Sequence, residues 1–60
     1  MINEIVKELI ENAYENGYQE EIEAMTDEDL AFEMVWDPGL DEDYTFEDIL
    51  VAVKEFRNVQ

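Results

Sequence analysis

The chain has 60 residues, 18 of them Asp or Glu and 3 Lys or Arg, which leaves a formal net charge of −15. A length of this order supports one small domain, able to bury only about 60% of the surface its unfolded form exposes. Cys, His and Ser are all absent, which excludes disulfides, thiolate or Ser-centred nucleophiles, imidazole bases and the usual transition-metal ligands.

A hydrophobic content of 47% with three Phe, three Tyr and one Trp belongs to a folded domain, not to a solvated acidic tail. Ile2, Ile5, Val6, Leu9, Ile10, Ala13 and Tyr14 recur on one face at 3.6 residues per turn, which predicts a first helix. Asn16-Gly17 ends it, because Gly readily takes the left-handed conformation of a helix C-terminus. Tyr18, Ile22 and Met25 keep a helical spacing and predict a short helix or a last turn or two.

Thr26 then reads as an N-cap, with Asp27, Glu28 and Asp29 in the first turn, where the helix dipole favours anions. The helix it opens should carry Leu30, Phe32, Met34 and Val35 and end near Trp36. Leu30, Phe32, Met34 and Trp36 also alternate with period two, as in a half-buried strand; the cap favours helix. Asp37-Pro38-Gly39 marks a turn, and the irregular stretch 37–44 carries Asp37, Asp41, Glu42 and Asp43. Thr45 repeats the cap, with Asp48 three residues on. Phe46, Ile49, Leu50, Val53 and Phe56 form the stripe of a final helix whose last turn holds Lys54 and Arg57. The expected fold is all-α: one domain over 1–60, a bundle of three main helices with room for a short fourth.

Among the aromatics, Tyr14, Phe32, Trp36, Phe46 and Phe56 are expected to fill the core. Trp36, beside the acidic loop, has a second reading as a contact hot spot. Tyr18 and Tyr44 flank the breaks as surface anchors. Val51 and Val59 lie off the last stripe and leave room for a homodimer or a docking patch.

The charge has a pattern as well as a sign. Glu4, Glu8, Glu11 and Glu15 fall within an arc of roughly 60° opposite the first apolar stripe, over about 16 Å of helix. Such a row of like charges mildly destabilises a helix, with Lys7 placed to relieve part of it. From Glu8 to Val53 there is no basic residue, and that stretch holds 16 carboxylates. Solubility alone is served by a net charge of about 2–8 in magnitude. The excess costs stability through self-repulsion, which points to a surface shaped for a strongly basic partner.

Duplex DNA presents one phosphate charge per ~1.7 Å of axis on a rigid scaffold. Rows of helical carboxylates can offer comparable spacing, and Lys or Arg that hold phosphates would accept them with charge-assisted hydrogen bonds. In charge balance, size and lack of Cys, the chain resembles the DNA-mimic inhibitors of phages and mobile elements, the anti-CRISPR and anti-restriction proteins. That resemblance implies a non-enzymatic inhibitor in the basic cleft of a host defence complex, such as a CRISPR effector or restriction enzyme, but carries no motif and assigns no residue. The expected contacts come from the charge pattern: Glu4, Glu8, Glu11 and Glu15 on the first helix, and Asp37, Asp41, Glu42 and Asp43 in the loop. The alternative is an acidic adaptor or regulatory subunit that binds a basic protein without competing with nucleic acid.

Other chemistry is weaker. An EF-hand register starting at Asp37 puts Glu42 where Gly is required and Asp48 in place of the bidentate Glu, so no specific metal site is expected. Paired carboxylates lack a pocket in so small a bundle, so neither catalysis nor a cofactor is expected. A chain of this charge is repelled by nucleic acid and by anionic membranes. The start Met1-Ile2-Asn3-Glu4 lacks the basic and apolar parts of a signal peptide, and a cytoplasmic location is expected.

Overall fold

The computed structural model describes residues 2–40 and 43–58. Asp41, Glu42 and Val59, named above, lie outside the described residues. The fold is a small all-α bundle, with no strand among the described residues. Helix α1 spans Ile2–Ala13 and runs through a wide turn, Tyr14–Tyr18, into the short α2, Gln19–Ala24. Helix α3 is Asp27–Val35 and α4 is Phe46–Asn58. The break after α1 falls at Gly17, whose φ of +93° lies in the left-handed region. A Cβ at Gly17 would meet nothing within 4 Å, so the backbone angle, not lack of space, is what calls for glycine.

Both predicted caps are present. Thr26 Oγ1 accepts from the Asp29 N–H at 3.1 Å. Thr45 and Asp48 go further and bond reciprocally: Asp48 N–H donates to Thr45 Oγ1 at 3.2 Å, and Thr45 N–H to Asp48 Oδ2 at 3.3 Å. This is a capping box with Asp in the place of Glu. Residues 30–36 therefore start from a capped helix, and the strand alternative is set aside.

Helix α4 packs against both α1 and α3. Its Ile49, Ala52, Val53 and Phe56 are buried, and so are Val6 and Ile10 of α1 and Leu30, Ala31 and Met34 of α3. The rest of the predicted α1 stripe, from Ile2 to Tyr14, packs partly buried against this core. Two loop-side residues also join it: Leu40 is buried, and Tyr44 is half-buried instead of standing as a surface anchor.

Three aromatics expected in the core are outside it. Phe32 is 57% exposed, Trp36 72% and Phe46 38%. The cause is rotation of the buried stripes toward small residues. In α3, Leu30, Ala31 and Met34 follow the i, i+1, i+4 rule of one helical face, which turns Phe32 and Trp36 outward. In α4 the stripe is centred toward Ala52, leaving Phe46 at its edge in the first turn. Ala31 and Ala52, at most 1% exposed, lie on the two helices that pack together, where small side chains permit close approach.

Arg57 supplies the most concentrated polar contact between helices. It does more than face its own helix C-terminus: its guanidinium crosses to the α2–α3 corner. Nη2 donates to Ile22 O at 2.6 Å, and Nη1 to Met25 O at 2.9 Å and Asp27 Oδ1 at 2.8 Å. Two of these acceptors are carbonyls at the C-terminal end of α2, Ile22 O (which also accepts from the Met25 N–H at 3.1 Å) and that of the C-cap Met25, and the third is the first acid of α3. A charged donor of this kind contributes about 1.5–3 kcal/mol net. Arg57→Ala should therefore lower stability by about 2 kcal/mol, or roughly 10 °C in melting temperature for a domain of this size. Arg57→Lys should recover only part, because a single ammonium cannot fork to three acceptors. Thermal unfolding followed by circular dichroism checks both; equal melting temperatures for the three proteins would remove the clamp from the account.

Candidate partner-binding surface

Every described carboxylate remains at least partly accessible, since no charged residue is buried. They divide by what their oxygens do. Asp27 pairs with Arg57, Asp48 closes the α4 cap, and Asp37 Oδ1 accepts from the Gly39 N–H at 2.7 Å. That last bond, with Leu40 N–H to Asp37 O at 3.1 Å, shapes the predicted turn. Glu55 accepts from the Asn3 side chain across the α1–α4 seam, and Glu23 from Gln19 within α2.

The row on α1 has no such duties. Glu4, Glu8, Glu11 and Glu15 are all exposed, and none makes a side-chain hydrogen bond or ion pair with another described residue. Glu8, Glu11 and Glu15, with Leu9 and Asn12, line one shallow concavity. Lys7 does not relieve them as expected. It forms no ion pair with Glu4 or Glu11, and it lies instead in a dent on the α1–α4 seam with Asn3, Glu55 and Phe56. At 100° per residue it points away from the row's centre, toward the helix that α1 packs on.

Leu9 connects this row to the second predicted set. It lines the α1 concavity and also an apolar opening of about 120 Å³ between α1, α2 and α3, whose rim carries Glu33 and Asp37. The turn sits close against α1: a Cβ on Gly39 would come within 3.3 Å of Leu9 Cδ2 and 3.0 Å of Asp37 Oδ1. Folding thus brings Asp37 to an opening that Leu9 of α1 also lines, and adds Glu33, which sequence reading had not singled out. The signal for Glu33 was available, since it lies one step off the Leu30–Ala31–Met34 stripe. Asp43 is exposed in the turn before Tyr44.

Among the described residues no three acidic side chains converge as a metal cage. Two ligand positions of the EF-hand register, Thr45 and Asp48, are engaged in the α4 cap. No helix among the described residues is long and apolar enough to cross a membrane. Comparison with protein-family models, curated proteins and solved structures yields no match for this chain.

The molecule measures 29 × 22 × 18 Å. At about 0.01 M salt the Debye length is ~30 Å, so nearly every carboxylate repels every other; near 0.15 M it is ~8 Å and only neighbours interact. The melting temperature should accordingly rise by several degrees as NaCl goes from about 0.01 to 0.15 M. A scan that is flat or falling over this range would mean the charges are locally compensated.

Proposed function

We propose that this chain is a non-enzymatic inhibitor that occupies the basic nucleic-acid-binding cleft of a host defence complex, such as a CRISPR effector or restriction enzyme, in place of the nucleic acid. The observation that carries this reading is the α1 row Glu4, Glu8, Glu11 and Glu15, whose exposed side chains have no hydrogen-bond or ion-pair partner among the described residues. Glu8, Glu11 and Glu15 share their concavity with Leu9, which also lines the opening that carries Glu33 and the turn residue Asp37. Charges selected only to keep a small domain soluble need not stand in such a row, nor lack interleaved cations over 46 residues.

The physics of the exchange follows from the scaffold. Helices hold the carboxylates at fixed separations, so little ordering entropy is lost when a partner's Lys and Arg close on them. Each contact is a charge-assisted hydrogen bond of the kind the cleft makes to phosphate. The summed field steers encounter, which makes association fast and salt-sensitive. The affinity is distributed over many groups, so no single carboxylate dominates.

Charge variants test this directly. Glu11→Gln should weaken binding to the target, captured from a host lysate, by no more than about three-fold. Replacing Glu4, Glu8, Glu11 and Glu15 together by Lys should abolish it. A second variant combines Asp37→Asn, which keeps the turn's acceptor, with Lys at Asp41, Glu42 and Asp43, and should also bind poorly. If both multiple variants fold by circular dichroism and still inhibit, the proposal fails.

A further inference from the structure

The outward face of α3 has an unusual composition for so acidic a surface. On a helix turning 100° per residue, Phe32 and Trp36 lie opposite the buried Leu30–Ala31–Met34 stripe. Their rings meet edge to face, with centroids 6.2 Å apart and an interplanar angle of 81°. Glu28 flanks the pair on one side, Asp29 and Glu33 on the other, and all five residues are exposed. Val35 and Pro38 continue the apolar surface beside Trp36 toward Leu40 and Tyr44.

We propose that this face is a docking site for an arginine-bearing segment of a basic protein partner, with one guanidinium stacked on the Trp36 indole. The inference rests on the polyanion reading above for the kind of partner, and adds which face grips it. Charge complementarity selects the occupant. Two copies of a −15 chain repel each other across a face that bears three carboxylates, whereas a cation is drawn to it. An aromatic face attracts a cation through its quadrupole, most strongly for Trp. Arginine fits better than lysine, because its planar fork can stack on the ring while donating to Asp29 or Glu33, and its aliphatic stem can lie along Val35 and Pro38. An edge-to-face pair also holds the Trp36 ring in a defined orientation, which reduces what binding must immobilise.

Trp36 is the only Trp in the chain, so its fluorescence reports on this face alone. The full chain is titrated with an arginine-rich peptide and with a lysine-rich peptide of equal length and charge, with affinity read by calorimetry. The arginine peptide should bind at least about five-fold tighter and shift Trp36 emission. Trp36→Leu and Phe32→Leu, which leave every charge in place on an exposed face, should remove most of that preference while the lysine peptide binds as before. Equal affinities with an unmoved Trp36 overturn the docking face but leave the polyanion reading standing. If neither peptide binds at low salt, both readings are overturned. A concentration-dependent emission shift without peptide would give the face to a second copy and overturn the arginine assignment.

Discussion

A single guanidinium holds the corner on which the bundle turns. The chain passes from α2 to α3 over two extended residues, Met25 and Thr26. Such a corner exposes carbonyls that α2 has no further turn to satisfy. Arg57 reaches them from the last turn of α4 and engages Asp27 with the same nitrogen that bonds Met25 O. The contact ties the last turn of α4 to the point where α3 begins, beside the α3–α4 packing that buries Ala31 and Met34. With three cations in 60 residues, placing one here leaves few to interleave with the outer acids.

That placement explains how the acidic surface coexists with a marginal core. Some carboxylates stabilise the fold: Asp48 in a cap, Asp37 in a turn, Asp27 in an ion pair. The α1 row, Glu4, Glu8, Glu11 and Glu15, contributes repulsion and no side-chain bond to another described residue. A core of eleven buried apolar residues among those described must outweigh both that repulsion and the entropy of ordering the chain. Uncompensated charge on a domain with so little in reserve is a cost in isolation, and it turns into attraction only when a cationic surface is opposite. The aromatic pair on α3 has the same logic under the proposed docking, in which a partner would cover apolar rings otherwise left in water.

Much of the architecture was legible in the residue pattern, because its determinants are local. The α1 stripe, the glycine break at Gly17 and the two Thr caps each involve groups within four residues of one another. What escaped reading depends on contacts distant in sequence. Ala31 and Ala52 define their interfaces by being small, and a stripe drawn through the bulkiest side chains passes beside them. Phe32, Trp36 and Phe46 were consequently placed in the core. Arg57 was read against its own helix dipole, although its partners lie 30 to 35 positions earlier. Lys7 was paired with the acids nearest in sequence, while the α1–α4 seam draws it elsewhere. For the site, the row on α1 was readable from helical geometry; that Leu9 links its concavity to the opening with Glu33 and Asp37 required the tertiary fold.

The central claim is that this chain and a nucleic acid compete for one cleft. The most direct measurement loads the captured target with its own labelled nucleic acid, titrates in the folded chain, and follows both by sedimentation at about 0.15 M salt, where distant charges are screened. The account predicts that the nucleic acid is released in proportion to the chain bound, with no species that contains all three components. A stable complex that holds target, nucleic acid and this chain together would contradict it.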